Sequence, residues 1–168
     1  MKRILTILME NEPGALSRIV GLFSQRGYNI DSLSVARTDD PTLSRLTVCT
    51  SGDEKSLEQI TKQVNKLIDV LRVKNITEQE HVERELMLIK VQTPTSLVRD
   101  AIKRNADIFR AQIIDVCSDC YTLQVVGPPA RLRAFIDAMK EETMIIEVVR
   151  SGTIGLLRGK NALRAKQY

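Results

Sequence analysis

The sequence predicts an α+β protein that contains two similar halves. Short apolar segments, which are typical of strands, alternate with stretches in which apolar residues recur every three or four positions, as on one face of a helix. These elements follow the order β-α-β-β-α-β twice, before and after a polar segment without periodicity at residues 77–82. We therefore expect two ferredoxin-like units, at residues 1–76 and 83–150, joined by a linker at residues 77–82.

The first half begins with a strand predicted at residues 3–9, which is apolar on both faces and should be buried on both sides. A helix follows from about Pro13, because proline has a helical φ and lacks the N–H that would have no partner there. The apolar face of this helix consists of Leu16, Ile19, Val20 and Phe23. Gly27 suits the left-handed conformation that ends many helices, so the helix should end just before it.

The remaining elements follow the same order in both halves. In the first half we expect a hairpin of strands at residues 29–37 and 42–50, a helix capped by either Ser51 or Asp53, and a strand at residues 70–76. In the second half, helices should begin near residues 93–96 and 127–129, between strands at residues 83–91, 111–117, 120–126 and 144–149. Units of this size bury little core alone, so a homodimer is expected.

The first turn of the first helix is a candidate binding site. The N–H groups of Gly14, Ala15 and Leu16 would have no acceptor within the helix, and the positive end of the helix dipole favours an anion. Gly14 has no side chain to obstruct a ligand, so a small carboxylate such as that of an amino acid fits there. On this segment alone, an ordinary helix start without a ligand remains the alternative.

The net charge of +4 is confined to the C-terminus. Residues 151–168 contain no acidic side chain and four basic ones, namely Arg158, Lys160, Arg164 and Lys166. We predict a basic, solvated tail, with neither nucleic acid nor a membrane as a partner. Because the chain has no membrane-length apolar run and no signal-peptide pattern, we expect it to be cytoplasmic. Three cysteines, an odd number, do not make a disulfide framework, which agrees with a reducing compartment.

No catalytic set can be assembled from the sequence. The only histidine, His81, lies in the linker, and there is neither a Ser/His/Asp pattern nor a phosphate-binding glycine loop. Cys117 and Cys120 have the spacing of a redox dithiol or half a zinc site, but they flank a predicted hairpin turn, so a purely structural role is favoured. An RNA-recognition module shares the element order, yet the strand at residues 42–50 lacks the aromatic side chains that stack on bases. We therefore predict neither catalysis nor a metal site.

Several segments resemble a known family. Residues 11–18 (Asn-Glu-Pro-Gly-Ala-Leu-Ser-Arg) and 23–33 (Phe-Ser-Gln-Arg-Gly-Tyr-Asn-Ile-Asp-Ser-Leu) resemble the ACT-domain signature of the small regulatory subunit of acetohydroxyacid synthase, also called acetolactate synthase. Shorter matches follow at residues 39–45, 82–86, 108–116 and 150–152. The resemblance implies a non-catalytic subunit for branched-chain amino-acid biosynthesis, which activates a catalytic large subunit and confers feedback inhibition by valine. It implies no cofactor in this chain, because thiamine diphosphate, Mg²⁺ and FAD would belong to the catalytic partner.

The resemblance also implies a valine site at the interface of an ACT dimer, between the loop before the first helix and the start of the partner's second strand. The matching positions are Asn11, Gly14, Ala15, Leu16, Asn29 and Ile30, to which the residues themselves add the apolar Leu33. The N–H groups of residues 14–16 would hold the carboxylate, and the side-chain oxygens of Asn11 and Asn29 would accept from the ammonium group. Ile30 and Leu33 would surround the aliphatic side chain. A stand-alone amino-acid sensor without an enzyme partner is the alternative function.

Overall fold

The computed structural model describes residues 1–164, and it confirms the α+β fold. The chain forms two compact units. The first unit consists of Met1–Val82 together with the segment from Thr153 onward, and the second consists of Glu83–Gly152. Each contains a β-α-β-β-α-β succession of elements, in which an antiparallel sheet packs against two helices.

The first unit contains β1 (Lys2–Glu10), α1 (Ala15–Gln25), β2 (Asn29–Arg37), β3 (Leu43–Ser51), α2 (Glu54–Asn65) and β4 (Val70–Asn75). Its strands are ordered β2-β3-β1-β4 in the sheet. β1 lies in the middle and is buried on both faces, as its apolar composition predicts. β2 is an edge strand, so one side of its backbone is not paired with another strand of the described chain.

The core between this sheet and its helices takes fully buried side chains from every element except β2. They are Leu5, Ile7, Met9, Ala15, Ile19, Phe23, Leu46, Val48, Leu57, Ile60, Val64 and Val70. Burial of each larger member contributes about 1.5–3 kcal/mol. β2 adds only the half-buried Ile30 and Leu33, so the core is least complete at this edge of the sheet.

The start of α1 differs from the prediction. The helix begins at Ala15 rather than Pro13, because Gly14 has a φ of 84° and its left-handed backbone lies outside the helix. The other end agrees with the prediction, since Gly27 has a φ of 67°. At α2 the cap is Asp53, whose carboxylate accepts from the N–H of Ser56 at 3.0 Å.

Within the described residues, a ninth strand lies in the segment that was predicted to be a solvated tail. β9 (Ile154–Leu157) pairs with β5 (His81–Gln92), whose first two residues belong to the first unit. Its Leu157 forms a second buried cluster with Ile4, Cys49 and Ile76. Ile4 and Cys49 are opposite each other in the β1/β3 ladder, on the face that alternation directs away from the helices. Residues 154–157 therefore form a strand that covers this face. Lys166, one of the four basic residues of the predicted tail, lies outside the described residues.

Arg45 attaches the same segment to β3. Its Nη2 donates to the carbonyl of Gly155 at 2.7 Å, and partial burial lowers the pKa of the guanidinium. Gly155 packs so closely that a Cβ would come within 2.7 Å of Cδ1 of Ile76. The close approach of the backbone at Gly155 thus depends on the absence of a side chain.

The second unit contains most of β5, followed by α3 (Ser96–Phe109), β6 (Gln112–Val116), β7 (Cys120–Gly127), α4 (Pro129–Glu142) and β8 (Ile145–Arg150). Its strands are ordered β6-β7-β5-β8. Glu85 is only 4% exposed and receives two hydrogen bonds from Arg150, at 2.9 Å from Nε and 2.8 Å from Nη2. This pairing raises the pKa of Arg150 and compensates the buried carboxylate.

Candidate functional site

The loop between β1 and α1 forms a compact turn at the predicted site. The N–H of Ala15 donates to the carbonyl of Glu12 at 3.2 Å, and the N–H of Arg18 donates to the carbonyl of Gly14 at 3.0 Å. Ala15 therefore already has an acceptor, which the sequence argument did not anticipate. The N–H groups of Leu16 and its neighbour Ser17 belong to the first turn, which the helix itself leaves unsatisfied, and in the described part of the chain no side chain caps α1. Donors for an anion thus remain at this end of the helix.

Arg18 adds a positive charge at the same place. Its Nε donates to Oδ2 of Asp69 at 2.6 Å, and its Nη1 lies 2.9 Å from the position that a Cβ on Gly14 would occupy. The hydrogen bond to Asp69 raises the pKa of Arg18. The guanidinium therefore lies beside the start of α1, where it reinforces the positive end of the helix dipole.

Asn11 connects this loop to the start of β3. Its N–H donates to the carbonyl of Thr42 at 2.8 Å, and its Nδ2 donates to the carbonyl of Pro41 at 3.2 Å. Its Oδ1 accepts from the hydroxyl of Ser44 at 3.2 Å. Because an amide oxygen has two lone pairs, Oδ1 retains the capacity to accept one further hydrogen bond.

The remaining predicted residues lie at the start of β2. Asn29 donates from Nδ2 to Oδ1 of Asp31 at 2.9 Å, and Ser51 donates to Oδ2 of the same carboxylate at 2.6 Å. Sequence reasoning did not single out Asp31 or Arg18, although both lie in the segments that carry the resemblance. Asp31 therefore places a negative charge next to the side chain of Asn29, and a carboxylate at this end of β2 favours an ammonium group.

A β-bulge at Asp31 explains how Ile30 and Leu33 come to lie on the same face. Ile30 pairs with Thr50 and Ser32 pairs with Cys49, so Asp31 is the extra residue between them. Without it, positions three apart in a strand would point to opposite faces. Both Ile30 and Leu33 consequently pack against the core beneath the helices.

The two groups of predicted residues lie at opposite ends of β3. Asn11 contacts Ser44, whereas Asn29 pairs with Ser51. At about 3.3 Å per residue, positions 44 and 51 of an extended strand are on the order of 23 Å apart. A single chain therefore does not bring Asn11 and Asn29 to one small ligand.

Other candidate groups lie elsewhere. His81 begins β5, and its Nδ1 is 2.7 Å from the carbonyl of Gln79. Cys117 and Cys120 are joined as a disulfide at the tip of the β6–β7 hairpin, whereas Cys49 is free and buried. Within residues 1–164, no helix has the length and apolar content that crossing a membrane requires.

Comparison with known proteins identifies the family. Residues 5–72 match the ACT domain of acetohydroxyacid synthase small subunits, and residues 84–159 match the small subunit of acetolactate synthase. The chain belongs to the acetolactate synthase small-subunit family. It is 57% identical to the small subunit of acetolactate synthase isozyme 3 of Escherichia coli, over 98% of this chain and 100% of that protein. It is 59% identical to the acetolactate synthase small subunit of Haemophilus influenzae, over 97% of this chain and 100% of that one.

A solved structure of the same family agrees with the fold. The acetolactate synthase small subunit of Thermotoga maritima superposes with a TM-score of 0.85 at 32% identity. The match covers 96% of this chain and 99% of the Thermotoga chain. The loop before α1 and the start of β2 both fall within the residues that match the family's ACT domain.

Proposed function

We propose that this chain is a regulatory subunit that binds and activates the catalytic large subunit of an acetolactate synthase in the cytoplasm and makes it sensitive to valine. In this proposal the chain is not itself catalytic, and thiamine diphosphate, Mg²⁺ and FAD belong to the large subunit. Membership of the small-subunit family supports the partnership. Because Asn11 and Asn29 lie near opposite ends of β3, we propose that the effector site is shared between two chains.

Pairing of two chains through β2 supplies the missing half of the site. β2 is an edge strand, and an unpaired edge is a template for a further strand. Arg37 at the end of β2 pairs with Ser44, near Asn11. In an antiparallel, two-fold symmetric pair of β2 strands, the end of one strand lies beside the start of the other. Asn29 of the partner subunit would thus approach the end at which Asn11 and Gly14 lie.

The chemistry of the combined site matches an α-amino acid. Its carboxylate would accept from the N–H groups at the start of α1, including that of Leu16, beside the guanidinium of Arg18. Its ammonium group would donate to Oδ1 of Asn11 and to Oδ1 of the partner's Asn29, near the carboxylate of the partner's Asp31. Each charged group of the ligand would therefore meet groups of complementary charge.

Selectivity for a branched aliphatic side chain would come from β2. Ile30 and Leu33 share a face because of the bulge at Asp31, and both remain partly accessible. They would provide an apolar surface for an isopropyl group. A ligand that touches both chains stabilises the arrangement in which its site is complete, and this is how valine would alter the association that activates the enzyme.

The decisive experiment reconstitutes the chain with the acetolactate synthase large subunit and measures acetolactate formation with and without valine. We expect activation by the chain and inhibition by valine. Gly14→Asp places a carboxylate where the ligand carboxylate should lie, so it should abolish valine binding in calorimetry while the fold and the activation persist. Gly159→Asp is the matched control, because Gly159 also has a positive φ, of 69°, and no atom of a non-adjacent residue among residues 1–164 lies within 4 Å of its Cβ position.

The outcomes separate the parts of the proposal. Unchanged valine affinity in Gly14→Asp would reject the assigned site. Valine binding without association with the large subunit would instead identify a stand-alone amino-acid sensor. Acetolactate formation by the chain alone would contradict the regulatory assignment.

A further inference from the structure

The tip of the β6–β7 hairpin carries two cysteines that the proposed function does not use. Residues 117–119 connect the two strands, and the N–H of Cys117 donates to the carbonyl of Cys120 at 2.9 Å. The two Cα atoms are 5.2 Å apart and the sulfur atoms are bonded. This Cα separation lies within the range of about 4.4–6.8 Å that disulfides take.

Accessibility distinguishes this pair from the third cysteine. Cys117 is exposed and Cys120 is half-buried, whereas Cys49 is 1% exposed beneath β9. Thiol–disulfide exchange requires that an external disulfide reach the attacking sulfur, and the more accessible sulfur is the first to be reached. The geometry therefore favours Cys117 as the first nucleophile and Cys120 as the thiol that closes the pair.

The hairpin tip is attached to the segment that precedes α3. The carbonyl of Asp119 accepts from the N–H of Thr93 at 2.8 Å. Thr93 is fully buried, and its hydroxyl has no hydrogen-bond partner among the described residues. Two residues later, Thr95 caps α3 by accepting from the N–H of Val98 at 3.2 Å. Opening of the turn would thus release the Thr93 amide and let water reach an unsatisfied hydroxyl.

We propose that Cys117 and Cys120 form a reversible dithiol–disulfide pair that exchanges with low-molecular-weight disulfides and, when oxidised, holds the segment before α3 in place. The Cys117 thiolate attacks one sulfur of the external disulfide, which forms a mixed disulfide and expels one thiolate. The Cys120 thiolate then attacks the Cys117 sulfur and expels the second thiolate. The two expelled thiolates take up the two protons that the cysteine thiols lost. Overall the protein dithiol is oxidised and the external disulfide is reduced to two thiols.

A metal site is the competing use of the same atoms. The side-chain ligand atoms of Cys117, Asp119 and Cys120 all lie within 4.8 Å of one another. Structural zinc sites normally have four protein ligands, and this cluster offers three. A redox pair needs only Cys117 and Cys120, whereas a zinc site would need a ligand beyond these three residues. We therefore favour the redox role.

The test uses the full-length chain, reduced, freed of reductant and then exposed to oxidised glutathione. Intact mass should show the loss of two hydrogen atoms in the wild type and in Cys49→Ser, and peptide mapping should place the bond between Cys117 and Cys120. Cys120→Ser should stop at the glutathione mixed disulfide on Cys117. Amide hydrogen exchange at Thr93 should be several-fold slower in the oxidised wild type than in the reduced protein. In Cys117→Ser, the exchange rate at Thr93 should not change when the oxidant is added.

Three results would overturn the proposal. The first is the persistence of both thiols in excess oxidised glutathione. The second is protection of the reduced pair by added Zn²⁺ alone, with both thiols resistant to the oxidant, which would identify a metal site. The third is equal exchange at Thr93 in the oxidised and reduced protein, which would show that the bond does not act on the segment before α3.

Discussion

Arg18 bonds Asp69 at 2.6 Å through Nε, and its guanidinium lies against Gly14 at the start of α1. Asp69 is 6% exposed, so its carboxylate needs this partner. Its backbone carbonyl also accepts from the N–H of Glu10 at 2.8 Å. Asp69 therefore links the end of β1 to α1, and it holds a cation beside the proposed carboxylate position.

We predict that Arg18→Ala weakens valine binding by about tenfold or more, because a hydrogen bond between a guanidinium and a carboxylate contributes on the order of 1.5–3 kcal/mol. Calorimetry with valine and with valinamide, which lacks the carboxylate, distinguishes this role from a structural one. Only the valine affinity should fall. Lys62→Ala, which removes an exposed cation from α2, is the control. Equal losses for both ligands would contradict the prediction.

Gly14→Ala and Gly159→Ala should have similar effects on stability but different effects on binding. Both positions have a positive φ, of 84° and 69°, so each alanine should cost about 1 kcal/mol or more. Only the alanine at position 14 meets Arg18, at 2.9 Å from Nη1. Urea unfolding should show comparable destabilisation, while valine titrations should show lower affinity for Gly14→Ala alone. Unimpaired binding by that variant would separate Gly14 from the site.

Leu157→Ala should destabilise the first unit and expose Cys49. Leu157 is 6% exposed in the cluster with Cys49, so the truncation should cost about 2–5 kcal/mol. Its neighbour Leu156 is 60% exposed, and Leu156→Ala should change stability by less than about 0.5 kcal/mol. With Cys117 and Cys120 replaced by serine, the rate of Cys49 labelling by a thiol reagent should rise only in Leu157→Ala. Equal rates in both variants would show that β9 does not protect Cys49.

The cap of α2 should contribute to acid sensitivity. The side-chain hydrogen bond from Ser56 lowers the pKa of Asp53 below its ordinary value of 3.8. A lowered carboxyl pKa means that the charged form stabilises the fold at neutral pH, and that this stability is lost as the pH falls through the pKa in the folded state. Asp53→Asn keeps a good cap but does not titrate. The free energy of unfolding of Asp53→Asn, relative to that of the wild type, should therefore increase as the pH falls to about 3 in denaturant titrations. A difference that stays constant with pH would show that protonation of Asp53 does not contribute to acid sensitivity.

Local patterns predicted most of the fold, and the exceptions depend on contacts distant in sequence. Pro13 suits a helix start, but the left-handed turn at Gly14 delays α1 to Ala15. Residues 154–157 were included in a tail that was assigned from its basic charge, and no local pattern reveals the close packing of Gly155 against Ile76. The covalent pairing of Cys117 and Cys120 was not predicted either, because an odd cysteine count does not indicate a bond across one turn.

In the candidate site, too, some features have a local signal in the sequence and others depend on contacts distant in sequence. The loop at residues 11–16 was proposed from the chemistry of a helix start, and the start of β2 from the family resemblance. The position of Arg18 depends on Asp69, in the α2–β4 connection, and the position of Asp31 depends on a β-bulge. Neither feature has a strong local signal in the sequence. Periodicity alone would also have assigned Ile30 and Leu33 to opposite faces of β2.

The separation of Asn11 and Asn29 along β3 has a consequence for complementation between variants. If each valine site takes Gly14 from one chain and Asn29 from the other, a mixed dimer of Gly14→Asp and Asn29→Ala chains places both defects in one site. Its second site then contains only unaltered residues. Two variants that are each insensitive to valine should therefore complement one another when co-expressed, and they should restore half of the binding sites in every mixed dimer.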